Sequence, residues 1–135
     1  MHPAMNIEQA RFNMIEQQIR PWNVLDAHVL HLLSVIRRED FVPSQHRALA
    51  FVDMEIPLPE GQCMLAPRVE ARMLQDLALQ KHEKVLEIGA GSGYMAALLA
   101  HRAQHVLTLE ISAELARMAR SNLQLAGVQD RKAHV

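Results

Sequence analysis

The chain has 135 residues and half of them are apolar, so it can bury one core of ordinary size. Its formal charge is −1, and its 14 basic and 15 acidic residues are interspersed, which gives no electrostatic indication of a nucleic-acid or membrane partner. Cys63 is the only cysteine, which excludes an intrachain disulfide and a cysteine-rich zinc site.

The N-terminal residues carry charged and amide side chains, which interrupt any apolar run that a signal peptide or a membrane span would need. Together with the single cysteine, this composition predicts a cytoplasmic protein. His28 and His31 are three residues apart on a predicted helix, but no third ligand follows at a recognisable spacing. We therefore expect no metal site.

Two amphipathic helices are predicted at the start of the chain. Asn6 and Gln9 have the spacing of a capping box, and apolar residues then recur at helical spacing until Pro21. Asp26 can cap a second helix, whose apolar residues also share one face. These helices form a predicted N-terminal helical region.

An irregular segment lies between residues 41 and 67, where prolines and a glycine replace the periodic pattern. Connections of this length are often functional in compact domains, and we expect the loop from Ile56 to Pro67 to face a substrate. Pro67 suits the first turn of a third helix, with Val69, Met73, Leu74 and Leu77 on its buried side.

Strands and helices alternate in the last third of the chain. Residues 84–88 and 105–110 have the pattern of strands, each followed by an apolar helix, and a further strand is predicted at residues 132–135. Ser112 can cap the last helix, and Gly127 is placed for a left-handed cap at its end. This order predicts an α/β fold with a parallel, Rossmann-like sheet.

A glycine-rich loop connects the first of these strands to its helix. Gly89, Gly91 and Gly93 remove side chains where the backbone turns sharply and where a ligand can lie against the main chain. A dinucleotide-binding fingerprint would have its third glycine at position 94, which is Tyr94 here. The loop therefore predicts a cofactor site but disfavours NAD and a dehydrogenase.

Two carboxylates flank this loop in the predicted sheet. Glu110 ends the second strand, 21 residues after Gly89, where a carboxylate can accept both hydroxyl hydrogens of an adenosine ribose. Glu87 precedes the loop, and its charge suits a ligand with a sulfonium and an aminium group better than a pyrophosphate. Both features favour S-adenosylmethionine as the cofactor.

The sequence resembles the protein-L-isoaspartate O-methyltransferase family over nearly all of its length. The segment VLEIGAGSGY at residues 85–94 resembles the family's first methyltransferase motif, and LTLEIS at residues 107–112 resembles the motif that carries the ribose acid. Resemblance to the substrate-specific part rests on MIEQQIR at 14–20, FVP at 41–43, IPLPEGQ at 56–62 and ARML at 71–74.

The resemblance implies a class I methyltransferase fold and methylation of a carboxylate on damaged aspartyl residues of a protein or peptide. It assigns residues 1–80 to the helices and the substrate-facing segment, and residues 81–135 to the first part of the cofactor-binding unit. The cofactor contacts that it implies are Glu87, Gly89, Ala90, Gly91, Ser92, Gly93, Glu110 and Ile111.

One departure from the family lies in the irregular segment. After the Gly-Gln pair the family typically has Thr-Ile-Ser-x-Pro, with an active-site serine, and Leu65 stands at the serine position here. A leucine side chain can neither donate nor accept a hydrogen bond, so no catalytic residue is assigned. Its neighbours are Gln62, Cys63 and Met64, and we interpret Cys63 as a packing residue rather than a nucleophile.

Leu65 leaves two further hypotheses open beside the family's usual activity. The protein could be a related methyltransferase with a different acceptor, or a cofactor-binding module without catalysis. The family's sheet has more strands than this sequence contains, so we expect the chain to be an N-terminal portion. Such a portion would self-associate through its uncovered sheet and bind the cofactor poorly.

Overall fold

The computed structural model of the protein describes residues 3–128 and 133–135. Helix α1 (Pro3–Met14) continues through a π-helical turn (Ile15–Ile19) and a 3-10 turn (Arg20–Trp22). The elements that follow are α2 (Ala27–Val35), β1 (Ile56–Pro57), β2 (Cys63–Met64), α3 (Pro67–Leu77), β3 (Lys84–Ile88), α4 (Tyr94–Ala100), β4 (His105–Leu109), α5 (Ala113–Leu125) and β5 (Ala133–His134).

The main sheet is parallel and has the order β3-β4-β5, which confirms the predicted α/β fold. Leu86 lies opposite Leu107 in the β3 and β4 pair, and Val106 lies opposite Ala133 in the β4 and β5 pair. The predicted third strand is therefore present at Ala133–His134, and Lys132 lies outside the described residues. A parallel order of this kind places the ends of β3 and β4 side by side.

The caps of the predicted helices are partly confirmed. The Asp26 carboxylate accepts hydrogen bonds from the backbone N–H groups of His28 and Val29, and Ser112 caps α5 by accepting from Leu115. Asn6 is not an N-cap, because the helix already begins at Pro3. A proline in a first helical turn loses no intrahelical hydrogen bond, so the helix can start earlier than the capping box indicated.

The buried face of α3 differs from the predicted one. Met73 and Leu77 are 48% and 52% exposed, whereas the buried residues of this helix are Pro67, Glu70, Ala71 and Leu74. The face rotates because the Glu70 carboxylate pairs with the buried guanidinium of Arg38. A distant charged partner therefore overrides the apolar pattern of the helix.

One hydrophobic core joins the N-terminal helices to the sheet. It contains buried residues from Met14 in α1 to Ala133 in β5, and the rings of Phe41 and Tyr94 meet within it at 5.5 Å. Tyr94 opens α4 directly after the glycine loop. The irregular segment is thereby packed against the segment that carries the cofactor motif.

Within residues 3–128 and 133–135, the sheet is covered on one face only. Val106 and Thr108 of β4 are fully buried, whereas Leu86, Ile88, Leu107 and Leu109 on the opposite face are 41% to 75% exposed. In the part of the chain that the structure describes, no helix is both long and apolar enough to cross a membrane. The exposed face is thus an apolar surface on a parallel sheet.

Candidate cofactor and acceptor site

The glycine loop has the geometry that its sequence predicts. Gly89, Gly91 and Gly93 all have positive φ, and the Gly89 N–H donates to the Leu109 carbonyl at 2.7 Å, which fixes the loop to the end of β4. A Cβ at Gly89 would point into open space, whereas a Cβ at Gly93 would lie 3.2 Å from the backbone oxygen of Ala119. The first glycine thus leaves room beside the loop, and the third lets α4 approach α5.

Glu110 follows β4 directly, and the structure brings its carboxylate to the glycine loop. One oxygen accepts from the Gly91 N–H at 3.0 Å, and the other accepts from the Ser112 N–H at 3.1 Å. Each carboxylate oxygen has a second lone pair and can accept a further hydrogen bond from a ligand. The carboxylate is thereby held in place with acceptor capacity remaining.

A wide cavity of about 1000 Å³ opens at this edge of the sheet. Its size is at the upper end of the range for small-molecule and cofactor sites. The residues that line it are Glu60, Gln62, Ile88, Gly89, Leu109, Glu110, Ile111, Ser112 and Ala113.

A smaller cavity of about 230 Å³ lies between the glycine loop, the irregular segment and α3. Most of its lining residues are apolar or contain sulfur. Glu70 and Glu87 contribute its two carboxylates. The full lining is Leu58, Cys63, Met64, Leu65, Glu70, Met73, Glu87, Ile88, Gly89, Gly91, Ser92, Tyr94 and Met95.

Burial raises the pKa of Glu87 to about 7. The hydroxyl of Thr108 donates to this carboxylate at 2.7 Å and opposes the shift, while the nearby carboxylates of Glu70 and Glu110 add to it. Glu87 therefore changes charge near neutral pH. A cationic ligand group beside it would favour its ionised form.

Arg38 is buried behind the wall of the smaller cavity, where it contacts the lining residues Leu65 and Glu70, and the sequence did not single it out. Its guanidinium is 1% exposed and forms an ion pair with the Glu70 carboxylate. It also donates to the backbone carbonyls of Ala50 at 2.8 Å and Leu65 at 3.0 Å. In the sequence it belongs to a charged triplet after α2, a pattern that ordinarily indicates a solvated helix end.

The two cavities bring together most of the predicted cofactor residues. Gly89 and Ile88 line both cavities, Glu110 and Ile111 line the larger one, and Glu87, Gly91 and Ser92 line the smaller one. Ala90 is 5% exposed and lines neither, and Gly93 serves packing against α5.

Leu65, at the position of the family serine, lines the smaller cavity and is 36% exposed. Cys63 is exposed beside it, and partial desolvation of its sulfur together with the neighbouring Glu55 carboxylate raises the pKa of the thiol. A raised thiol pKa disfavours the nucleophilic thiolate form, as expected, but the exposure of Cys63 contradicts the packing role.

Comparisons with known sequences agree with these features. A family model described as "Protein-L-isoaspartate(D-aspartate) O-methyltransferase (PCMT)" matches residues 9–135. The protein-L-isoaspartate O-methyltransferase of Koribacter versatilis is 41% identical over 117 residues, which are 87% of this chain and 53% of the relative. The enzyme of the same name from Aeropyrum pernix is 43% identical over 122 residues, or 88% and 47% of the two chains. The chain thus spans about half the length of the curated relatives that it matches.

Solved structures support the fold. A protein-L-isoaspartate O-methyltransferase superposes with a TM-score of 0.71 and 23% identity, over 94% of this chain and 41% of the other. A Plasmodium falciparum protein described as a putative member of this family, in complex with S-adenosyl-L-homocysteine, gives a TM-score of 0.72 and 17% identity over 95% and 62% of the two chains. At these identities the likeness establishes the fold alone.

Proposed function

Because this chain belongs to the protein-L-isoaspartate(D-aspartate) O-methyltransferase family, we propose that it binds S-adenosylmethionine beside the glycine loop and serves methyl transfer to a protein or peptide acceptor. The observation that carries the proposal is the Glu110 carboxylate, which the N–H groups of Gly91 and Ser112 hold at the wide cavity. A carboxylate fixed at the end of the second strand can accept the hydroxyl hydrogens of an adenosine ribose.

The residues around both cavities suit this cofactor. Glu110 would hold the ribose and the fully exposed Ile111 would contact the adenine, while Gly89 leaves the loop open for close approach. Glu87 would face the aminium and sulfonium end of the molecule from the smaller cavity. A dinucleotide would instead bring a pyrophosphate toward the Glu87 carboxylate, whose ionised form would repel it.

The chain's contribution to the reaction is positioning. When bound, the cofactor supplies a methyl group activated by its sulfonium. An acceptor carboxylate needs no general base, because it reacts as the anion, so the residues around the smaller cavity would orient it and exclude water. The first candidate acceptor is the carboxylate of an isoaspartyl residue in a protein or peptide, as in the relatives' name.

A second candidate function is supported by the wall of the smaller cavity. Leu65, Met64 and Met73 give this wall an apolar surface where the family's serine would offer a hydroxyl. An isoaspartyl carboxylate would lose one hydrogen bond there, typically about 1.5 to 3 kcal/mol for a charged partner. Slow turnover of the isoaspartyl substrate, or a different acceptor of the same cofactor, is the consequence.

A methyl-transfer assay tests the first candidate. The labelled cofactor is incubated with the protein and an isoaspartyl peptide, and with the matched aspartyl peptide as the control. Transfer to the isoaspartyl peptide alone supports the proposal. Cofactor binding without transfer to either peptide supports the changed acceptor or the non-catalytic module, and the absence of cofactor binding defeats all three.

We also propose that the 135-residue chain self-associates through the uncovered sheet face. Leu86, Ile88, Leu107 and Leu109 form an exposed apolar surface there, and parallel sheets are ordinarily covered on both faces. Strand β3 is an edge of the sheet as the structure describes it, which leaves backbone groups open to another chain.

A further inference from the structure

Arg38 reaches three segments of the chain from one buried position. It lies in a 3-10 turn (Arg38–Phe41) after α2, and its side chain is almost fully enclosed. Its Nε donates to the Ala50 carbonyl, which precedes the antiparallel pair β1–β2, and one Nη donates to the Leu65 carbonyl, which follows that pair. The other Nη pairs with Glu70 in α3.

The contacts of Arg38 coincide with the wall of the smaller cavity. Leu65, Glu70 and Tyr94 all line it, and the guanidinium carbon lies 4.9 Å from the centre of the Tyr94 ring. Tyr94 is the first residue of α4, so its ring is fixed relative to the glycine loop. The guanidinium therefore connects the wall that holds Leu65 to the part of the chain that holds the cofactor loop.

The peptide at Leu65 accepts a side-chain hydrogen bond from Arg38. It lies between the two-residue strand β2 and the first turn of α3, and Ala66 at the start of α3 makes no side-chain cap. The planar guanidinium supplies several N–H donors in a fixed geometry, which a lysine ammonium cannot reproduce. Arg38 thus sets the position of the Leu65 main chain through a directional hydrogen bond.

Arg38 is not free to bind an anionic acceptor itself. The Glu70 carboxylate neutralises it, and its N–H groups are already directed at Glu70, Ala50 and Leu65. Its influence on a ligand must therefore pass through the wall that it holds.

We propose that Arg38 is a positioning residue, which holds the Leu65 wall against the glycine loop and so sets the fit of the smaller cavity around the cofactor's reactive end. This inference rests on the proposed function, since it takes the cavity to receive that end of S-adenosylmethionine. Arg38 lines neither cavity, so it would act on the site through the wall and not by contact with the reacting atoms.

Arg11 provides a matched control. It is 3% exposed, and its guanidinium forms a bidentate pair with the buried Glu39 at 2.8 and 2.9 Å. It also lies 5.1 Å from the centre of the Phe51 ring, yet Arg11, Glu39 and Phe51 line neither cavity. Arg11→Lys thus removes a buried guanidinium with similar contacts but without a link to the site.

The test compares Arg38→Lys, Arg11→Lys and the wild type in two measurements. The first is the affinity for S-adenosylhomocysteine by calorimetry. The second is alkylation of Cys63, the only thiol in the chain, with and without saturating S-adenosylhomocysteine. Cys63 lies in the wall next to Leu65, so its reactivity reports the position of that wall.

We expect Arg38→Lys to lower the affinity for S-adenosylhomocysteine by roughly tenfold, which is the effect of losing one directional hydrogen bond from a charged group. Its Cys63 should react faster than in the wild type and be protected less by the bound ligand. Arg11→Lys should keep the wild-type affinity and the wild-type protection even where its unfolding midpoint falls. Equal affinity and equal protection in the two variants would overturn the proposal, because Arg38 would then be structural only.

Alkylation of Cys63 without ligand distinguishes failure of the proposed function from failure of the inference about Arg38. If the wild type does not bind S-adenosylhomocysteine, the proposed function fails, and the alkylation rates without ligand still decide the role of Arg38. Where Arg38→Lys does not fold, the double variant Arg38→Gln with Glu70→Gln replaces the ion pair by neutral amides and buries no unpaired charge. The same accelerated alkylation is expected from it, and a wild-type rate would overturn the inference.

Discussion

Replacing Glu87 by glutamine should change both the stability of the protein and its pH dependence. In the folded protein, burial raises the pKa of this carboxyl to about 7, from 4.5 for an unperturbed glutamate. Between these values the folded state holds a proton that the unfolded state has lost, so the wild type loses stability as the pH rises through this window. Glutamine stays neutral at every pH and still offers an oxygen to the Thr108 hydroxyl.

The magnitude follows from the size of the shift. A difference of about 2.5 pKa units would correspond to about 3 kcal/mol at full effect, and partial solvent access to the half-buried carboxyl reduces this to about 1 to 3 kcal/mol. The glutamine variant should therefore be more stable than the wild type by that amount above about pH 8, and equally stable below about pH 4. Cofactor affinity should change in the opposite sense, because the variant lacks the charge that faces the aminium group.

Urea unfolding of both proteins across this pH range measures the difference directly. Thr108→Val, which removes the hydroxyl that opposes the shift, is a useful companion and should extend the loss of stability to higher pH. A stability difference between wild type and Glu87→Gln that stays constant from about pH 4 to about pH 8 would refute the reasoning, because Glu87 would then not titrate in this window.

Three further predictions concern the site and the sheet. Glu110→Ala should weaken the binding of S-adenosylhomocysteine by about 1 to 3 kcal/mol in calorimetry, while Glu114→Ala on the exposed first turn of α5 leaves the binding unchanged. Wild-type affinity in the Glu110 variant would refute the role assigned to Glu110. Leu65→Ser should raise transfer to an isoaspartyl peptide, and equal rates would show that the serine position is not limiting here. Sedimentation should find concentration-dependent association of the chain, reduced by Ile88→Glu, and a monomer at all concentrations would contradict it.

Local signals in the sequence were sufficient for the cofactor side of the site. Strand β3 has the predicted bounds, and Asp26 and Ser112 cap the helices that follow them. The loop from Gly89 to Gly93 and the acid at Glu110 meet as expected, because the ends of adjacent parallel strands lie at one edge of the sheet. Fixed spacing and turn chemistry determine such features over short stretches of chain.

Features that depend on distant partners were not predictable. The buried side of α3 turned toward Glu70 because Arg38, 32 residues earlier, supplies its counter-charge. Apolar periodicity carries no information about such a pair. A charged triplet at a helix end, such as the one that contains Arg38, ordinarily indicates exposure to solvent. The π-helical turn at Ile15–Ile19 was missed for a similar reason, since its hydrogen-bond pattern leaves no spacing signal in the residues themselves.

The most direct test of the central claim is a calorimetric titration of the protein with S-adenosylhomocysteine and, in parallel, with NAD. The arrangement of Glu87, the glycine loop and Glu110 predicts saturable, low-affinity binding of S-adenosylhomocysteine at one site, and no binding of NAD. Absence of S-adenosylhomocysteine binding, or equal binding of NAD, would contradict the assignment of this edge of the sheet to S-adenosylmethionine.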